Sequence, residues 1–208
     1  MQLKEFKFLF ALLVVPLEPQ SWKQIPYGSV PVHELSAEQG LKISVNQSAS
    51  ALVYKFDQPQ RIAEVEIELT QVGEINYQGK KIGDKGADDF PLRLGFVMAG
   101  DKRLSWGQSL IAPKWVKELY TLAPNKLGLD RVSYLVIAQE KPSYTKRFHP
   151  FSELLEEEIV GVMEKGVFKA KLSAPQGEVL GLWVSSDGDD TKSRFTMTIN
   201  RLILKSND

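Results

Sequence analysis

The sequence predicts an all-β protein, an antiparallel β-sandwich of jelly-roll type with one or two short helices in its loops. Three observations carry that prediction. Val65, Ile67 and Leu69 alternate with Glu64, Glu66 and Glu68, a period of two that buries one face of a strand and wets the other. At least seven apolar or alternating segments are separated by turn-forming residues, as in a sandwich. No regular alternation of strand and helix runs along the chain, as a parallel sheet would require.

The strands follow in order. Leu41 to Val45 alternates, and Ala51 to Phe56 follows after the polar Asn46 to Ser50. After the Glu64–Leu69 strand, Gly73 to Asp89 is a long polar link with four glycines, expected to be mobile. Leu92, Leu94, Phe96 and Met98 form an apolar row opposite Arg93 and Gly95. Val132 to Ala138 and Val179 to Val184 are apolar on both faces, as central strands are. Phe195, Met197 and Ile199 alternate within a last strand from Arg194 to Leu204. Pro113 to Tyr120 reads as a short helix, with proline at its first position and Trp115/Leu119 and Val116/Tyr120 spaced by four. Phe151 to Lys165 fits a helical stripe at Leu155, Ile159 and Met163, but its second half reads better as a strand.

Composition narrows the function classes. The 208 residues suffice for one larger β domain that needs no staples. Lys plus Arg equal Asp plus Glu at 26 each, which argues against a nucleic-acid partner. The chain has no cysteine, so disulfides, thiolate chemistry, Fe–S clusters and a lipoprotein anchor are excluded. Two lysines precede the apolar run Phe8 to Leu17, a length that suits a signal-peptide core and falls short of the roughly 20 residues that span a bilayer. Residues 1–21 are therefore expected to be a signal peptide or an N-terminal membrane tether, with the domain over 22–208. Export to a Gram-negative envelope follows, periplasmic or extracellular, soluble once the leader is removed. The bland alternative is a buried N-terminal strand or helix.

Catalytic signatures are missing. His33 and His149 are isolated, Gly107-Gln-Ser-Leu-Ile111 lacks the second glycine of a nucleophile elbow, and Gly79-Lys80 has the wrong spacing for a phosphate loop. The loop Ser185-Ser-Asp-Gly-Asp-Asp-Thr191 gathers hard oxygens between two strands. Asp187, Asp189 and Asp190 are the candidate metal ligands, for Ca²⁺ or for no cofactor at all. EF-hand spacing fails, because Lys192 and Thr198 stand where glycine and glutamate are needed, and an acidic turn is the simpler reading. Asp88, Asp89 and Arg93 at the start of another strand are candidate ligand contacts. Trp106, at a strand end, is the expected exposed aromatic, whereas Trp183 is expected in the core.

Ser48-Ala-Ser50, Asp89-Phe-Pro-x-Arg93 and the Ser186–Thr191 loop together resemble an uncharacterised bacterial family, domain of unknown function 3047. Its pattern runs Ser-Ala-Ser, Asp-Phe-Pro-x-Arg and a late Thr-Asp-Thr-Asp-Asn-Thr. The resemblance implies an exported β-sandwich with a leader and no assigned activity. This chain departs from it where Val65 and Ile67 replace the family's Trp-x-Trp.

Three functions stay open at this level. The first is a non-catalytic protein binding a glycan or envelope polymer at the sandwich rim. The second is a polysaccharide-cleaving enzyme pairing Asp89 with Asp187 or Asp189. The third is an interaction scaffold with no small-molecule site. What discriminates them is whether the Asp88–Arg93 and Asp187–Thr191 segments meet.

Overall fold

The computed structural model describes residues 10–124, 127–150 and 152–207. Two sheets face each other. Six strands form one: β1 (Phe10–Val14), β3 (Glu34–Ala37), β4 (Leu41–Asn46), β6 (Ile62–Glu74), β11 (Val167–Ser173) and β13 (Arg194–Asn207), in the order β11-β6-β13-β4-β3 with β1 also on β13. Seven form the other, in the order β2 (Lys23–Pro26), β5 (Ser50–Gln60), β12 (Val179–Ser185), β7 (Leu92–Gly100), β8 (Gly128–Ala138), β10 (Ser152–Val162) and β9 (Lys146–His149). The pairing is antiparallel except between β8 and β10, which run parallel.

The period-two reading of Val65, Ile67 and Leu69 holds. These side chains are buried between the sheets with Ile43, Met197 and Ile199, and meet Leu94, Phe96 and Leu182 of the facing sheet. The opposite face of β6 carries Glu64, Glu66 and Glu68, whose carboxylates pair with Lys205, Lys171 and Lys169 on the neighbouring strands. A glutamate stripe in mid-sheet is stable there because each strand beside it supplies lysine.

The seven-stranded sheet is apolar on both faces. Its outer face carries Val53, Val97, Val132, Tyr134 and Trp183 and forms a second core with Ile25, Phe90, Leu119 and Leu122. Helix α2 (Lys114–Tyr120) covers part of that face. This explains why β8 and β12 read as continuous apolar runs.

Several elements differ from the sequence expectation. Pro113 is the N-cap of α2 and not its first residue. A second helix, α1 (Trp106–Ile111), lies where Trp106 was read as a strand end. Its start is a capping box, Ser105 accepting from the Gln108 N–H while the Gln108 side chain accepts from the Ser105 N–H. The segment 152–162 is strand throughout, because pairing with β8 and β9 outweighs its helical stripe. The glycine-rich link is tied down: the Tyr77 hydroxyl donates to the Asp89 carbonyl, and Arg147 donates to the Gly83 carbonyl at 2.6 Å.

Of the expected leader, residues 1–9 lie outside the described residues. Residues 10–14 pair with 203–207 of β13, the Val15 N–H donates to the Leu202 carbonyl, and Val15 is buried in the core beside Trp22. Within the apolar run, Phe10–Val14 is thus a strand paired to β13.

Candidate functional site

Strand register assembles the site. Across the outer face of the seven-stranded sheet, Val53, Trp183, Gly95, Tyr134, Glu157 and Arg147 are successive partners on β5, β12, β7, β8, β10 and β9. Two residues along β7, Arg93 pairs with Ser185. Gly95 is required in this row by contact: a Cβ there would lie 2.6 Å from the Tyr134 ring and 2.8 Å from Val132. Any other residue would displace the Tyr134 ring that forms the floor.

A cleft of about 320 Å³ opens above these rows. Its lining combines the rings of Tyr27, Trp115, Tyr134 and Trp183 with the polar groups of Asp88, Asp187, Asp189, Asp190 and His149. Tyr27 and Trp115 meet edge to face, centroids 6.5 Å apart at 87°, and the Trp183 indole N–H donates to the Tyr27 hydroxyl at 3.1 Å. The site therefore lies on the sheet's outer face, with only its acidic wall at the rim.

The Asp88–Arg93 and Asp187–Thr191 segments do meet, and they clamp each other reciprocally. Asp89 accepts from the Thr191 N–H at 2.7 Å, from the Thr191 hydroxyl at 2.6 Å and from the Asp190 N–H at 3.3 Å. In return Asp190 accepts from the Gly86 and Asp88 N–H groups. Each loop's carboxylate satisfies amides of the other, which fixes both backbones without a regular ladder.

Beneath the clamp, Arg93 is buried in an ion network. Its Nε donates to Glu157 at 2.8 Å, its Nη1 to Asp187, and its Nη2 to the Asp88 carbonyl at 2.9 Å, while the Phe90 ring lies 4.5 Å from the guanidinium. Glu157 is 0% exposed, yet both its oxygens are used, the second by Arg147 at 2.7 Å. Asp88 also contacts Arg147, and His149 Nε2 lies 2.9 Å from its Oδ2. Charge-assisted forks of this kind are what make buried carboxylates tolerable.

The acids respond differently to this network. Burial raises the Asp88 carboxyl, but Arg93, His149 and Arg147 outweigh it and bring the group down to about 2. Burial pushes Asp187 up to about 7; Arg93 opposes the shift, and Asp89 and Asp189 add to it. Burial, with the Asp89 charge beside it, also raises Asp189.

The signs of the two large shifts are opposite. Asp88 binds its proton less tightly when folded, so it stabilises above its unfolded value and that gain is lost as pH falls through about 2. Asp187 binds its proton more tightly when folded, so stability is lost as pH rises from its ordinary 3.8 toward about 7. Thermal melts across that upper window are expected to show a falling Tm, and Asp187→Asn to flatten it. An unchanged slope in the variant would remove Asp187 as the cause.

The sequence-derived candidates divide. Asp88, Asp89, Arg93, Asp187, Asp189 and Asp190 all line the cleft; Trp106 does not, and sits on α1 at 80% exposure. Trp183 is buried, as expected of a core residue, and also lines the cleft. Asp187, Asp189 and Asp190 do not fit a Ca²⁺ cage as arranged, since Asp187 is bound to Arg93 and Asp190 to loop amides. Among the described residues no group of three or more Asp, Glu or His is placed to hold a metal ion. The paired-carboxylate alternative needed a free Asp89, and Asp89 is held by three donors.

Glu157, Arg147, His149, Tyr27, Trp115 and Tyr134 were not foreseen as site residues. Glu157 had a readable signal. Leu155, Glu157 and Ile159 share one face of a strand, and Leu155 and Ile159 pack on the second core. A charge between two inward apolar residues marks a buried, paired group.

No family model matches the chain. No curated protein matches it either. Among solved structures, a xylan-binding module CBM15 is similar to it at 10% identity over 95% of this chain and 97% of that one, with a TM-score of 0.40.

Proposed function

We propose that this protein binds a glycan or envelope polymer, without cleaving it, in the cleft on the outer face of the seven-stranded sheet. The observation that carries this reading is the mixed lining of the cleft, where Tyr27, Trp115 and Trp183 occur together with Asp189 and His149. A sugar ring has an apolar C–H face and a polar hydroxyl rim, and this lining offers groups suited to each. The cleft volume of about 320 Å³ is at the lower end of small-ligand sites, about 300–1,000 Å³. The buried ion network supports the reading by holding the acidic wall rigid, so little ordering cost falls on binding.

Trp115 is the residue to test, because it is half-buried on a short helix and the sheet does not depend on it. In calorimetric titrations against neutral, amino and acidic oligosaccharides, at least one class is expected to bind and to perturb tryptophan fluorescence. Trp115→Ala is expected to weaken that binding roughly tenfold or more, with a shift of only a few degrees in Tm. Absence of heat and of a fluorescence change with every class would overturn the proposal.

A further inference from the structure

Trp106 has no part in the cleft, and its surroundings point to a different partner. Helix α1 buries none of its residues. Trp106 and Leu110 lie one turn apart on it, and Ile111 follows at its end; they are 80%, 60% and 86% exposed. Most large apolar side chains elsewhere in this fold are packed in one of the two cores. A helix that buries none of its residues and displays a tryptophan and two aliphatic residues has no packing reason for them.

The charge around this helix is mostly basic. From residue 102 to residue 117 the chain carries Lys102, Arg103, Lys114 and Lys117 and no acidic residue. Lys114 and Lys117 are exposed, and the Lys117 ammonium lies 3.5 Å from the Leu110 carbonyl, which brings it against the apolar helix. Asp101 borders this stretch; of the other neighbouring acids, Asp130 pairs with Lys102 and Arg131, and Glu118 pairs with Lys23. Tryptophan and aliphatic side chains ringed by lysine and arginine suit the boundary of an anionic bilayer, where the apolar groups enter the headgroup layer and the cations remain at the phosphates. Among the described residues no helix is long and apolar enough to cross a membrane, so such a contact is interfacial.

We infer that α1 and its basic flanks form a docking surface for an anionic lipid membrane. It is separate from the cleft and does not depend on what the cleft binds. The surface engages by inserting Trp106, Leu110 and Ile111. Because α2 follows directly after Pro113 and carries Trp115, docking through α1 also sets the direction in which the cleft faces.

Co-sedimentation of the whole protein with vesicles of phosphatidylglycerol and phosphatidylcholine in equal parts, against pure phosphatidylcholine, tests this. Binding is expected to the anionic vesicles, to fall as salt rises, and to shift tryptophan emission to the blue. Trp106→Ala is expected to lower partitioning roughly tenfold, and Lys114→Glu with Lys117→Glu to abolish the preference for anionic lipid. Both variants should keep the wild-type Tm, since these side chains are exposed. Equal partitioning of wild type and Trp106→Ala, or no binding to anionic vesicles, overturns the inference. A concentration-dependent dimer that Trp106→Ala dissolves, without vesicle binding, also overturns it and assigns the patch to a second copy of the chain.

Discussion

Replacing Arg93 by methionine is expected to cost about 3–5 kcal/mol of stability, the penalty for removing one partner of a buried ion network. For a chain of this size that lowers Tm by roughly 10 °C. Methionine fills similar volume, so the loss is electrostatic. Glu157, with no exposure, keeps only Arg147, and Asp187 loses its guanidinium. Two controls identify the cause. The penalty should shrink as pH falls below about 7, where Asp187 takes up its proton and no longer needs the guanidinium. Adding Glu157→Leu should restore part of the loss, because an apolar replacement of both partners is tolerated better than one stranded charge. A melt unchanged by Arg93→Met would show that the network is not structural.

Trp183→Ala is expected to be comparably damaging, about 3–5 kcal/mol for a large aromatic removed from a core. Trp183 is 2% exposed and sits between Val53 and Gly95 in the sheet. Gly95 offers no side chain of its own beside the indole, and the Tyr134 ring lies over it. The indole N–H also anchors the Tyr27 hydroxyl, so the cleft's aromatic wall loses a support together with its floor. Trp183→Phe separates the two effects. It keeps most of the ring but not the donor, and is expected to lose about 1 kcal/mol while ligand affinity still falls. Denaturant melts and titrations on both variants check this. Full glycan affinity in Trp183→Ala would detach the floor from binding.

The fold was legible where one face of a strand is wet. The alternation of β6 could be read because its glutamates face solvent and find lysines, leaving Val65, Ile67 and Leu69 as an unbroken inward row. The outer face of the seven-stranded sheet was harder. When both faces are buried the period vanishes, so Trp183 looked like ordinary core and its second role was hidden. The loops gave a partial answer. Asp89 was visible as a candidate ligand contact and Thr191 as part of an acidic turn, but their pairing over a separation of 102 positions is a property of the topology. Trp106 was misplaced for a local reason. Ser105-Trp-Gly-Gln108 is a helix start, and the pattern was present in the sequence without being read as one. The apolar run near residue 10 shows a related ambiguity, since a short apolar run suits a leader or a strand and its residues 10–14 pair with β13.

The places of β12 and β13 have a consequence for how the protein comes into being. Each sheet is completed by a strand from late in the sequence: β12 inserts between β5 and β7, and β13 between β4 and β6. Until those residues leave the ribosome, four strands present open edges and neither half of either sheet is joined to its other half. Such a chain folds through distant pairings, slowly and with its edges exposed to other chains. The same insertion carries the Asp187–Thr191 loop between β12 and β13, so the acidic wall of the cleft is put in place by the step that closes both sheets. The half made of β7, β8, β10 and β9 already carries Arg93, Tyr134, His149 and Glu157, so Trp183 and the acidic loop complete the cleft in the same step that completes the fold.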